Sequence, residues 1–170
     1  MNYDVFDLLR KNVHRHVRRA GELHAATVKR ILEIGPEHSI AREVFPEPIV
    51  IDSLDHAAQW NPTILLDICV PVMPASLPVY DLILCTEVLE HCDDPKQAVK
   101  NLHFLVAPDR WVFASTPMYV PIHAPFPDNW RFTEMGLRTL FRDFTEVVIE
   151  ALQAPEFCHF PLHYTIAARR

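Results

Sequence analysis

Apolar and polar positions along this chain alternate between two periods. In residues 5–26, Val5, Leu8, Leu9 and Val13 recur at helical spacing, which predicts an N-terminal helical lead-in. Short apolar runs then follow one another, each closed by polar residues. Residues 28–34, 49–52, 64–68, 80–85 and 111–115 read as five strands. Between them, residues 37–44 read as a short helix and 95–105 as a longer one. Ala98, Leu102 and Leu105 share a face of the longer helix, and Asp93 or Asp94 caps its start ahead of Pro95. Thr133 caps a further helix running to about Phe141. Residues 145–151 and 162–168 are the last two strands. Strands alternating with helices predict a parallel sheet covered on both faces, and two final strands without a helix between them predict an antiparallel end.

Two stretches interrupt the alternation. Residues 68–79 carry Pro71, Pro74 and Pro78 where a crossover helix is expected, so an irregular connection across one face is predicted. Residues 117–130 hold four prolines after the fifth strand, a loop long enough to suggest function. No internal repeat or low-complexity run is present.

Composition narrows this picture. At 170 residues, 49% hydrophobic and 22% charged, the chain is expected to be one domain, residues 1–170, with a substantial core. The net charge of −6 argues against a large nucleic-acid footprint. Arg10, Lys11, Arg15, Arg18 and Arg19 cluster near the N-terminus and read as a solvated helix face. Cys69, Cys85, Cys92 and Cys158 show no C-x-x-C spacing, and no secretory signal opens the chain. Reduced thiols in a cytoplasmic protein are the expectation. The apolar region 64–85 contains Asp67, Asp81 and three prolines, so no membrane span is expected.

The chemistry lies where strands stop. Glu33-Ile34-Gly35 ends the first strand, Asp52 the second and Asp67-Ile68 the third. Cys85-Thr86-Glu87, followed by Glu90-His91, leaves the fourth. Open α/β sheets bind ligands at this carboxyl edge. The two phrases Ile31-Leu32-Glu33-Ile34-Gly35 and Val79 to Pro95 resemble the class I S-adenosylmethionine-dependent methyltransferases. The resemblance covers about residues 28–170 and implies a Rossmann-like, doubly wound, mostly parallel sheet with an antiparallel terminal strand. It implies S-adenosylmethionine as cofactor, with Glu33 and Gly35 near its methionine portion and Asp52, flanked by Ser53, on the ribose. Asp67 and Ile68 would meet the adenine, and Cys85 and Glu87 would lie beside the cofactor. The loop after Gly35 carries one glycine where the family usually has two or three. A plain strand-to-helix turn, with Ser39 or Glu37 near the helix start, is the alternative.

A second phrase, Pro121 to Thr133, resembles a segment of small methyltransferases associated with sugar and cell-envelope modification. His123 is the expected acceptor of the substrate's proton, with Asp128 orienting it or acting as the base. Trp130 offers a flat face for a sugar and Arg131 a cation for a carboxylate or phosphate. Alternatively, Trp130 and Phe132 anchor the loop while Asp128 and Arg131 pair to hold it. Glu87-x-x-Glu90-His91 resembles an inverted zinc-peptidase motif but lacks its first histidine. No metal-ligand set is legible. The expected function is methyl transfer to a small molecule, with a sugar or glycolipid precursor as the suggested acceptor. A catalytically inactive binding or scaffolding module is the alternative. A nicotinamide-dependent reductase is disfavoured, because G-x-G-x-x-G is absent.

Overall fold

A computed structural model of the protein describes residues 5–154 and 159–170; Cys158 lies outside them. The sheet is built from β1 (Arg30–Ile34), β2 (Val50–Asp55), β3 (Ile64–Leu65), β4 (Tyr80–Thr86), β5 (Val106–Pro117), β6 (Glu146–Leu152) and β7 (His163–Arg169). Their order is β3-β2-β1-β4-β5-β7-β6. The first five pair in parallel, and β7 runs antiparallel to both β5 and β6. The helices are α1 (Val5–His24), α2 (Ala41–Val44), α3 (Pro95–Leu105) and α4 (Glu134–Leu140). The mostly parallel sheet with its antiparallel end is the architecture expected from the pattern.

The central strands are apolar on both faces because both are covered. Along β4, Leu82 and Leu84 pack with Val13, Val17 and Ala20 of α1. Ile83 and Cys85 point the other way, into a core shared with Leu102 of α3 and Leu137 of α4. Asp94 caps α3 by accepting from the Gln97 amide at 3.0 Å, and Thr133 caps α4 by accepting from the Gly136 amide at 3.1 Å.

Boundaries moved where long-range pairing overrode local pattern. β2 continues past Asp52 to Asp55, because Leu54 and Asp55 find partners in Ile64 and Leu65 of β3. β3 is correspondingly short, and the chain turns at Asp67. β5 begins at Val106, next to the end of α3, with a register irregularity against β4 between Tyr80 and Leu82. α1 is a packed layer rather than a lead-in: its buried stripe includes Asn12, His16 and Gly21. A Cβ on Gly21 would stand 2.6 Å from a methyl of Val44, so the glycine lets α1 approach α2.

The strand order reverses between β1 and β4, and their carboxyl ends open the crevice that such sheets use for ligands. Residues 66–79 cross beside it without a helix, as the prolines predicted. The buried Asn101 of α3 holds this segment by donating to the carbonyls of Ile68 and Val70 at 2.7 and 2.8 Å.

Candidate functional site

The donor side of the crevice starts at Gly35. Its φ of +61° lies in the left-handed region, and an added Cβ would stand 3.1 Å from Val88. Its amide donates to the Leu54 carbonyl at 2.8 Å, drawing the end of β1 onto β2. Glu33 is buried beneath this turn and accepts from the Ser39 hydroxyl and, at 3.1 Å, from the Ala41 amide. It therefore caps α2, which has no side-chain cap of its own. Burial raises the pKa of Glu33 against these two hydrogen bonds. Ser39 thus stands near the helix start, as the strand-to-helix alternative has it, with Glu33 in the capping place where that alternative allowed Glu37.

Asp52 is not at the carboxyl edge. It pairs across the sheet with Leu32, and its carboxylate meets the Arg30 guanidinium at 2.7 Å. The acid that ends β2 is Asp55, buried, with one oxygen accepting from the Ala57 amide at 2.7 Å. Ser53 is occupied in a three-bond exchange with Thr63. Asp67 is exposed, not buried in the apolar run, and accepts from the Cys69 amide at 2.7 Å. Ile68 belongs to the core, and so does Cys85, whose thiol is sealed and pushed up by burial. The Cys85 thiol is thus enclosed by the core and not presented at the crevice. Pattern alone stopped β2 too early. The signal that would have found Asp55 was the next acid along the same run.

Glu87 leaves β4 with a φ of +54° and accepts from the Ser115 hydroxyl at 2.6 Å and from His163 Nε2 at 2.7 Å. Burial works to raise its pKa. The charge of His163 and the hydrogen bonds from His163 and Ser115 outweigh it and hold the carboxylate low. His163 Nδ1 lies 2.8 Å from the amide nitrogen of Asn12, whose NH2 donates to it. A polar chain thus runs from α1 through β7 to the exit of β4, and none of it is visible in local sequence.

The second cluster forms where the proline-rich loop folds back. Asn129 and Trp130 donate their amides to the Glu90 carbonyl at 2.7 and 3.1 Å, and the Trp130 indole donates to the Cys92 carbonyl at 2.8 Å. His91 Nδ1 donates to the Pro127 carbonyl at 2.9 Å. The Asp128 side chain is fully buried and spends its oxygens on Arg131 and on the His123 amide at 2.9 Å, with His123 Nδ1 3.1 Å away. Hydrogen bonding from Arg131 holds its carboxyl well below the usual range. Asp128 is consequently a clamp rather than a free base, and Arg131 is committed to it. The loop-holding alternative describes this pair. Trp130 keeps 42% of its surface exposed and lines a concavity of about 640 Å³ with Lys96 and Met135.

His123 meets His91 edge to face, with ring centroids 5.4 Å apart. Beside them Glu90 is wholly buried. Its Oε2 lies 3.4 Å from the Thr116 hydroxyl, and its Oε1 has no hydrogen-bond partner. Burial, then the charge of Glu87, raises the pKa of Glu90 well above the ordinary carboxylate value.

Residues 1–149 match the family described as a methyltransferase domain. The chain belongs to this family of S-adenosylmethionine-dependent methyltransferases. Over 37 residues it is 49% identical to the ubiquinone biosynthesis O-methyltransferase of Bordetella parapertussis, a stretch that is 22% of this chain and only 15% of that enzyme. Among solved structures it is similar to the N-methyltransferase NodS of Bradyrhizobium japonicum, with a TM-score of 0.68 at 17% identity, covering 95% of this chain and 96% of the other. An S-adenosylmethionine-dependent methyltransferase of Archaeoglobus fulgidus gives a TM-score of 0.71 at 14% identity, covering 95% and 94%. At these identities the structural likeness speaks for the fold. Among the described residues, no helix of the methyltransferase is long and apolar enough to cross a membrane.

Proposed function

We propose that this methyltransferase moves the methyl group of S-adenosylmethionine onto a hydroxyl of a small molecule held beneath the loop 117–131. The observation that carries this reading is the meeting of two edges. Gly35, Asp55 and Asp67 lie at or just beyond the carboxyl ends of β1, β2 and β3, and Glu90, His91 and His123 gather beyond β4. In the proposed complex Asp55 takes the ribose hydroxyls, in the role first expected of Asp52. Asp67 takes the adenine amino group, and Gly35 gives the close backbone approach that a Cβ would block. The S–CH3 bond breaks with its electron pair retained on sulfur, and an O–CH3 bond forms in line. Holding the oxygen in that line supplies most of the rate. The hydroxyl proton passes to the His123 edge, where Asp128 acts as a positioning residue through the His123 amide.

The oxygen acceptor is supported by the short match to an O-methyltransferase. The narrower reading, a sugar or glycolipid precursor, rests on the exposed face of Trp130 beside Lys96. Calorimetric titration with S-adenosylmethionine tests the donor half. Binding near micromolar, roughly −8 kcal/mol, is expected. No heat and no thermal shift at millimolar cofactor would leave a non-catalytic binding module, the reading favoured by the single-glycine turn and the committed Glu33. Incubation with radiolabelled donor and a panel of hydroxylated sugars, then of phenols, tests the acceptor half.

A further inference from the structure

We propose that Glu90, His91 and His123 form a binding site for a divalent transition-metal ion of the zinc type, with an open position facing the acceptor. The three offer ligand atoms all within 4.8 Å of one another. The hydrogen bonds around them leave polar atoms of all three unspent at the centre. His91 Nδ1 must carry its proton to donate to the Pro127 carbonyl, which leaves Nε2 bare, 3.8 Å from Glu90 Oε1. That oxygen belongs to a carboxylate with 0% exposure and has no hydrogen-bond donor. His123 is held through its backbone, whose amide donates to Asp128 Oδ2 at 2.9 Å, and its ring Nδ1 is buried without a hydrogen-bond partner. An outer carbonyl partner such as that of His91 fixes the ring orientation of a metal-binding histidine. Glu87, the nearby acid, is committed to Ser115 and His163 and is not part of the set.

Two imidazoles and one carboxylate suit zinc or a neighbouring first-row ion better than magnesium or calcium, which prefer oxygen. Ligands at 2.0–2.2 Å from a tetrahedral ion stand roughly 3.4 Å apart, so small side-chain movements close the cluster. Three protein ligands leave the fourth place for water or for the acceptor hydroxyl. This deepens the proposed function and rests on it for the role of the ion. With the ion bound, His123 is a ligand in place of proton acceptor: a coordinated hydroxyl gives up its proton to solvent more readily, and its oxygen is aimed before the methyl group arrives. The site would also tie the loop carrying His123 to the turn after β4.

The test uses the full chain, stripped with a chelator and titrated with Zn2+ by calorimetry and with Co2+ by visible absorption. One ion per chain is expected, together with visible Co2+ d–d bands of the intensity that a four- or five-coordinate site gives and an octahedral aqueous ion does not. Glu90→Gln and His123→Ala should each weaken Zn2+ binding at least tenfold, while His14→Ala leaves it unchanged. Circular dichroism identifies any variant that fails to fold, and His91→Gln then stands in for it. No binding up to millimolar Zn2+ would overturn the site, as would binding that the folded variants at Glu90, His91 and His123 leave intact. Titration with S-adenosylmethionine on the stripped protein separates the two proposals. Cofactor binding without metal binding keeps the methyltransferase reading and ends this one.

Discussion

Asp52 and Asp55 are three positions apart and do different work. Asp52 faces Arg30 within the sheet, whereas Asp55 stands at its carboxyl end. Asp55→Ala should weaken S-adenosylmethionine binding at least tenfold, since hydrogen bonds to a charged acceptor are worth about 1.5–3 kcal/mol each. Asp52→Ala should leave binding within about twofold and cost less than about 1 kcal/mol of stability, because its Arg30 partner is well exposed. Paired titrations and urea melts check both. Equal affinities for wild type and Asp55→Ala would put the ribose elsewhere. At the same scale, Gly35→Ala should destabilise by about 1–3 kcal/mol, since it forces a Cβ into the left-handed region against Val88. A melting temperature equal to that of the wild type would mean that the turn relaxes freely.

At the scale of elements, two buried polar side chains join pieces that are far apart in sequence. Asn101 lends α3 to the segment 66–79. Asn101→Ala should cost about 2–3 kcal/mol, because two carbonyls lose their only side-chain donor. It should also lower cofactor affinity through Asp67, which that segment carries. A denaturant midpoint near wild type would show that water replaces the amide. His16 binds α1 to β7, its Nε2 donating to the Ile166 carbonyl at 3.1 Å. Burial lowers its pKa to about 4. The unfolded chain takes up this proton near pH 6.5, the folded one only near 4. Between those values acid therefore favours unfolding, and stability present above pH 6.5 is lost as the pH falls towards 4. The window amounts to about 3 kcal/mol. Burial lowers the pKa of His24 and of His103 as well, which adds in the same direction. In His16→Gln, which keeps a donor for Ile166, the slope of unfolding free energy against pH should flatten. An unchanged slope would assign the acid sensitivity to other groups.

For the whole molecule, stability should be graded outward from the middle of the sheet. β1, β4 and β5 are covered on both faces, and their amides are expected to exchange slowest. The segments 66–79 and 117–131 should exchange fastest. Within the loop the bonded amides are exceptions: Met118 and Tyr119 donate to the Leu162 carbonyl, His123 to Asp128, and Asn129 and Trp130 to the Glu90 carbonyl. Addition of S-adenosylmethionine should slow 66–79 before it slows 117–131, since only the first borders the proposed donor pocket. Mass-resolved hydrogen exchange reads this order directly, and simultaneous protection of both segments would argue that the donor orders the loop.

The chain by itself determined much of this arrangement. Strands buried on two faces must be apolar throughout, so β1 and β4 were plain as runs, and the missing final helix announced the antiparallel end. Asp94 and Thr133 were legible as caps, because a cap is satisfied within its own turn. Gly35 was legible because few other residues tolerate its backbone angle. Tertiary structure alone decided which partner each polar side chain found. Asp55 became the end of β2 through pairing with β3, and Cys85 was enclosed by helices from other parts of the chain. Asp128 and Arg131 were read both as acceptor-side groups, a base and an anion holder, and as a clamp. Folding chose the clamp by burying Asp128 completely beside the His123 amide. Asn12 and His163 lie 151 positions apart, yet they share a hydrogen bond. Glu90, His91 and His123 were legible only as separate residues. Their convergence depends on two amides of the loop bonding to one carbonyl of the turn after β4. Local pattern records the conformation of a segment and which face it buries. The register and loop anchoring that bring distant atoms together are set by the sum of contacts across the whole sheet.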